Sequence, residues 1–81
     1  MVDLHQALAH LRSGRWADAH DLVQRDDPPS LLAAWLHGIL HLQEGDLENA
    51  SYWYVKAKQN FRGRGTVDEE LERFEAELRR T

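Results

Sequence analysis

HLRSGRWADA, residues His10 to Ala19, and HLQEGDLENA, residues His41 to Ala50, superimpose 31 residues apart, and their comparison decides the architecture. The register continues outward: Leu4 pairs with Trp35, Leu8 with Ile39, Leu11 with Leu42, Gly14 with Gly45, Ala19 with Ala50 and Val23 with Tyr54. Small and large apolar residues therefore recur in step. A repeat of this length is one supersecondary hairpin that cannot bury its apolar face alone, so neighbouring hairpins must stack. The expectation is an all-α chain of two stacked antiparallel helical hairpins followed by a fifth helix, forming one domain over residues 1–81.

The pattern predicts hairpin 1 over about residues 2–26. Its first helix runs from about Val2 to Ser13, with Leu4, Ala7, Leu8 and Leu11 on one stripe and Gly14 as a left-handed C-cap. A second runs from about Trp16 to Arg25, with Trp16, Ala19, Leu22 and Val23 facing inward. Hairpin 2 is predicted over about residues 28–62. Asp26 and Asp27 before Pro28 and Pro29 read as a carboxylate cap and a proline at the first helical position, so the third helix is expected to begin there and end at Gly45. Asp46 caps a fourth helix whose Leu47, Ala50, Tyr54, Ala57 and Phe61 share a face, with Trp53 at its border and Gly63 and Gly65 as breakers. Thr66 and Glu69 form a capping box for a capping helix over about residues 66–80, with Val67, Leu71, Phe74 and Leu78 as a narrow seam and Glu69–Arg73 and Glu75–Arg79 as surface pairs.

Composition narrows the function classes. The 81 residues bury only about 60–65% of their unfolded surface, a modest margin for stability. There is no cysteine, which excludes disulfides, thiolate metal sites and a cysteine nucleophile. Asp3, His5 and His10 interrupt any secretory apolar run, and no stretch has the ~18 apolar residues of a membrane span, so a cytoplasmic protein without a membrane partner is expected. A net charge of −4 argues against a nucleic-acid partner. Lys56, Lys58, Arg62 and Arg64 around Phe61 are read as cations meeting the negative end of a helix dipole.

On these residues the chain resembles the tetratricopeptide repeat, a helix-turn-helix unit that binds proteins and peptides. The resemblance covers about Leu4 to Phe61. Leu4, Ala7, Leu8, Leu11 and Trp35, Gly38, Ile39, Leu42 take the family's large, small and apolar places in the first helix of each unit; Trp16, Ala19, Val23 and Leu47, Ala50, Tyr54, Ala57 take those of the second. The chain departs from the family in its turn, one residue shorter, and in its period of 31 rather than 34. The stretch His37 to Trp53 is also similar to a segment of bacterial proteins in which paired histidines precede an acidic turn and an Asn-x-x-Tyr-Trp run; that similarity brings no activity with it.

The third helix carries a second apolar stripe, Leu32, Leu36 and Leu40, where the first has His5 and Ala9 at the places matching Leu36 and Leu40. In a tetratricopeptide-like stack these positions line the ligand groove. Either the final helix folds back over them as a cap, the favoured expectation, or a partner chain displaces it. The functional expectation is a non-enzymatic interaction module for a protein or peptide, including a second copy of itself as a homodimer. The partner-binding residues are Leu36, Leu40, Tyr52, Trp53, Leu71 and Phe74, and no cofactor is called for.

The alternative is a small metal- or ligand-binding protein. His37 and His41 are four apart on one helix and Glu44 continues their face, a spacing able to hold zinc or another divalent ion. The competing reading is a solvated polar strip with Ser30 and Ala34, and His5 and His20 stand alone. His10 matches His41 in the repeat, which favours a structural role common to both hairpins. Ser13 and Ser51 lack a histidine–carboxylate context, and no phosphate-binding glycine loop is present.

Overall fold

A computed structural model describes residues 2–81. Five helices follow in order: α1 (Leu4–Arg12), α2 (Trp16–Gln24), α3 (Leu31–Glu44), α4 (Leu47–Lys56) and α5 (Val67–Arg80), with no strand among the described residues. Helices α1 and α2 pack as one hairpin and α3 and α4 as the other, joined through α2 against α3, while α5 lies on α3. No helix among the described residues is long and apolar enough to cross a membrane.

The repeat is visible in the backbone. Gly14 and Gly45 adopt φ of 76° and 82°, the left-handed conformation in which a side chain is strained. Each closes its helix with the same pair of bonds: Gly14 N–H to the Leu11 carbonyl and Arg15 N–H to His10, Gly45 N–H to Leu42 and Asp46 N–H to His41. The matched pairs are buried alike, Leu8 with Ile39, Ala19 with Ala50 and Val23 with Tyr54. Where the first hairpin has Ala7, the second has Gly38, because the Tyr54 ring leaves no room: a Cβ on Gly38 would sit 2.6 Å from Tyr54 Cδ1.

Two helix boundaries differ from the sequence expectation. Helix α3 starts at Leu31 rather than at the prolines: Ser30 is the cap, accepting from Ala33 N–H at 3.1 Å, and the Asp26 carboxylate accepts from Ser30 N–H at 3.1 Å. A proline disfavours helical backbone in the residue before it, so Pro28 and Pro29 hold Asp27 and Pro28 outside the helix. Helix α4 ends at Lys56 instead of reaching the glycines. Lys58, at φ 60°, takes the left-handed place, and Lys58 N–H and Gln59 N–H bond to the Val55 and Tyr54 carbonyls. Phe61 still meets the core, edge-on to Tyr54 at 5.4 Å.

Helix α3 is the axis of the molecule, buried without interruption from Ala33 to His41. A helix buried on every side has no polar strip to offer solvent. Helix α5 supplies its missing cover: Leu71, Phe74 and Leu78 join Trp35, Leu36, Ile39 and Leu40 in one buried cluster, with Phe74 edge-on to Trp35 at 5.7 Å. The capping box forms as expected, Glu69 N–H to Thr66 Oγ1 at 3.2 Å and Thr66 N–H to Glu69 Oε1 at 2.8 Å. That commits Glu69, and Arg73 pairs with Glu70 at 2.7 Å in its place, whereas Glu75–Arg79 forms at 3.6 Å.

Glu70 is wholly buried beneath this seam. Its carboxylate accepts from the Tyr54 hydroxyl at 2.6 Å, Gly65 N–H at 3.2 Å and Arg73 at 2.7 Å. Burial alone would raise its pKa, but these donors together hold it below the usual carboxylate range. Burial, reinforced by the same carboxylate, pushes the Tyr54 hydroxyl up. The pair ties α4 to α5.

Candidate functional site

The six residues read as a partner surface do not form one. Leu36 and Leu40 are buried in the core because α5 lies over them, and Leu71 and Phe74 are the α5 residues buried against α3. Trp53 is half-buried, its ring stacked on His37 at 4.0 Å and 11°. Tyr52 is exposed, with Lys56 Nζ 5.2 Å from its ring centre. Three exposed large apolar side chains lie on α4, Leu47, Tyr52 and Val55 at 52, 55 and 71% accessible, and Leu31 at the start of α3 is 53% accessible.

The histidine face is likewise not a solvated strip. His37 and His41 are 5 and 7% exposed, and Ala34 is buried beside them, because α2 packs against this side of α3. That docking brings in His20, which has no histidine or carboxylate partner in its own sequence pattern. Its Nε2 lies 3.1 Å from His37 Nε2, and one ring nitrogen of each of His20, His37 and His41 falls within 4.8 Å of one nitrogen of each of the others. The rings stand 4.7 to 5.2 Å apart between centres.

Two indoles wall the cluster. Trp16 stacks on His20 at 4.8 Å and 9°, and is itself fixed by an Nε1–H bond to the Leu40 carbonyl at 2.8 Å. Trp53 covers the face of His37 from α4. The signal for His20 was present locally: Trp16 and His20 share one face of α2, at i and i+4. Nothing in the sequence showed which face of α3 it would meet.

Glu44 completes the arrangement from the end of α3, its Oε1 2.5 Å from His41 Nδ1. A carboxylate only accepts, so the proton between them lies on Nδ1 and Nε2 is the nitrogen left to face the other rings. Asp46 groups with His41 and Glu44, but its carboxylate already accepts from Asn49 N–H at 3.2 Å and Asn49 Nδ2 at 2.9 Å, and the side-chain bond from Asn49 is the main cause of its lowered pKa. Burial, then the neighbouring His20 and His41, lowers His37 to about 3; burial and His41 likewise lower His20. His20 and His37 are thus neutral imidazoles at ordinary pH. His10 holds the matching place in the first hairpin, and the feature it has in common with His41 is a backbone carbonyl bonded to the turn rather than a ring contact.

No protein-family model, curated protein or solved structure matches the chain.

Proposed function

We propose that this protein is a small, non-enzymatic, tetratricopeptide-like interaction module of the cytoplasm, contacting another polypeptide or a second copy of itself through the outer flank of α4. The observation that carries this reading is the arc of Leu47, Tyr52 and Val55, three large apolar side chains each more than half exposed on one ten-residue helix. Single exposed apolar residues are ordinary, but Tyr52 and Val55, three apart, are neighbours on the helix surface with Leu47 at the edge of the same side, and grouped apolar exposure favours a contact surface. In an array of stacked hairpins this flank is where the next hairpin would lie; here α5 covers α3 instead and leaves it open. A symmetric pair that buries two such flanks against each other is the simplest assembly.

Light scattering across a concentration series tests this. The wild type should approach twice its monomer mass, and Tyr52→Ser with Val55→Ser should stay monomeric with an unchanged melting temperature, since both side chains are exposed. A wild type that is monomeric at every concentration would remove the self-pairing reading.

A further inference from the structure

We propose that His20, His37 and His41 form a binding site for one divalent first-row transition ion of the nickel, copper and zinc group, with Glu44 orienting His41 from behind. This goes beyond the contact surface on α4 and does not depend on it. Two imidazole nitrogens bound to one such ion at about 2.0–2.1 Å lie about 3.3 Å apart in a tetrahedral site and about 3.0 Å apart in an octahedral one. The His20 and His37 Nε2 atoms are 3.1 Å apart. In the metal-free protein one proton bridges them; an ion bound to both would sit to one side of the line between them, and that proton moves to the Nδ1 of the ring that carried it. The third nitrogen, from His41, lies within 4.8 Å of the other two and must close on them for the ion to take all three ligands.

Three further features separate this cluster from histidines that merely pack together. The rings are held in fixed planes, His20 by Trp16 and His37 by Trp53, so little side-chain freedom is lost when an ion binds. The Glu44 carboxylate on His41 Nδ1 is the outer partner that metal-binding histidines commonly have, fixing the tautomer and raising the basicity of the other nitrogen. The three ligands come from two helices, so an ion would clamp the first hairpin to the second. Imidazole donors with no thiolate select borderline ions over magnesium or calcium, which prefer oxygen. Three protein ligands leave at least one coordination position to water.

The test is isothermal titration of chelator-treated protein with zinc chloride and, separately, nickel chloride, read alongside tryptophan emission and thermal unfolding. One ion per chain is expected, with a higher melting temperature and a change in the emission of Trp16 and Trp53. His20→Ala, at a partly exposed position, should remain folded by circular dichroism and lose the stoichiometric binding together with both responses. Glu44→Gln should weaken binding about 10- to 100-fold, as loss of an outer partner does. His10→Ala should bind as the wild type. No stoichiometric uptake by the folded wild type, or equal uptake by His20→Ala, would overturn the proposal; the second result would assign any bound ion to the His37 and His41 pair or to the surface.

Discussion

The Tyr54 hydroxyl donates to the Glu70 carboxylate at 2.6 Å where neither side chain reaches solvent, so the C-terminal helix is fastened by a buried charge whose partners come from α4, α5 and the turn between. Removing the hydroxyl in Tyr54→Phe leaves the carboxylate short of a donor, which costs about 1–3 kcal/mol when the acceptor is buried. Arg73→Ala should cost less than that, because Arg73 is more than half exposed and its attraction is screened. Urea unfolding of the two variants compares them; a larger loss for Arg73→Ala would show that the ion pair, not the hydroxyl, dominates.

Gly38 is required by the Tyr54 ring. Gly38→Ala places a methyl 2.6 Å from Cδ1 and 3.3 Å from the Ala50 carbonyl, and overpacking of this kind costs about 1–3 kcal/mol. The first hairpin shows the compensated form, with Ala7 and Val23 in the matching places. Tyr54→Val should therefore relieve the Gly38→Ala penalty, although the single Tyr54→Val variant is itself destabilised. Melting temperatures of the two single variants and the double variant read the coupling; strict additivity would refute it.

Trp35 joins the second hairpin to the capping helix. It is buried with its ring against Phe74, so Trp35→Ala should cost about 3–5 kcal/mol, enough to unfold a domain of this size. A near-native melting curve would contradict the packing of α5 on α3.

The histidine cluster makes the metal-free fold sensitive to mild acid. Unfolded His37 titrates near 6.5 and folded His37 near 3, so between these values the unfolded chain binds the extra proton and stability falls as pH falls. Above about pH 7 this contribution is complete and the profile is flat. The slope is about 1.4 kcal/mol per pH unit for each proton taken up only on unfolding. His20, lowered in the same direction, adds to it. Urea unfolding in the presence of chelator from pH 7.5 to 5, above the carboxylate range, should show this decline, and His37→Gln should flatten it. A wild type equally stable at pH 5 and 7 would show that the folded cluster accepts the proton.

What the sequence determined by itself is local. The left-handed Gly14 and Gly45, the Asp46 cap and the Thr66–Glu69 box each depend on residues within about one turn of each other, and all are present in the structure, with the 31-residue register repeating one such pattern. Where two local signals compete the stronger restraint wins: Pro28 and Pro29 suit a helix start, yet each restrains the residue before it, and Ser30 with Asp26 forms the cap. Lys58 in the left-handed region ended α4 before any glycine could. Tertiary structure alone decided which faces meet. Periodicity shows that a helix has an apolar stripe but not what covers it, so the sequence favours a cap over Leu36 and Leu40 without excluding an open groove, and the packing of α5 on α3 decides it. Glu70 lies among acidic residues that look solvated, and only the approach of Tyr54 and Gly65 makes it a buried acceptor. His20 is 17 residues from His37, and their 3.1 Å separation comes entirely from the docking of α2 on α3. Hydrogen bonds and caps within a turn are written in adjacent residues, whereas a site assembled across two hairpins exists only once their buried surfaces have set the angle between them.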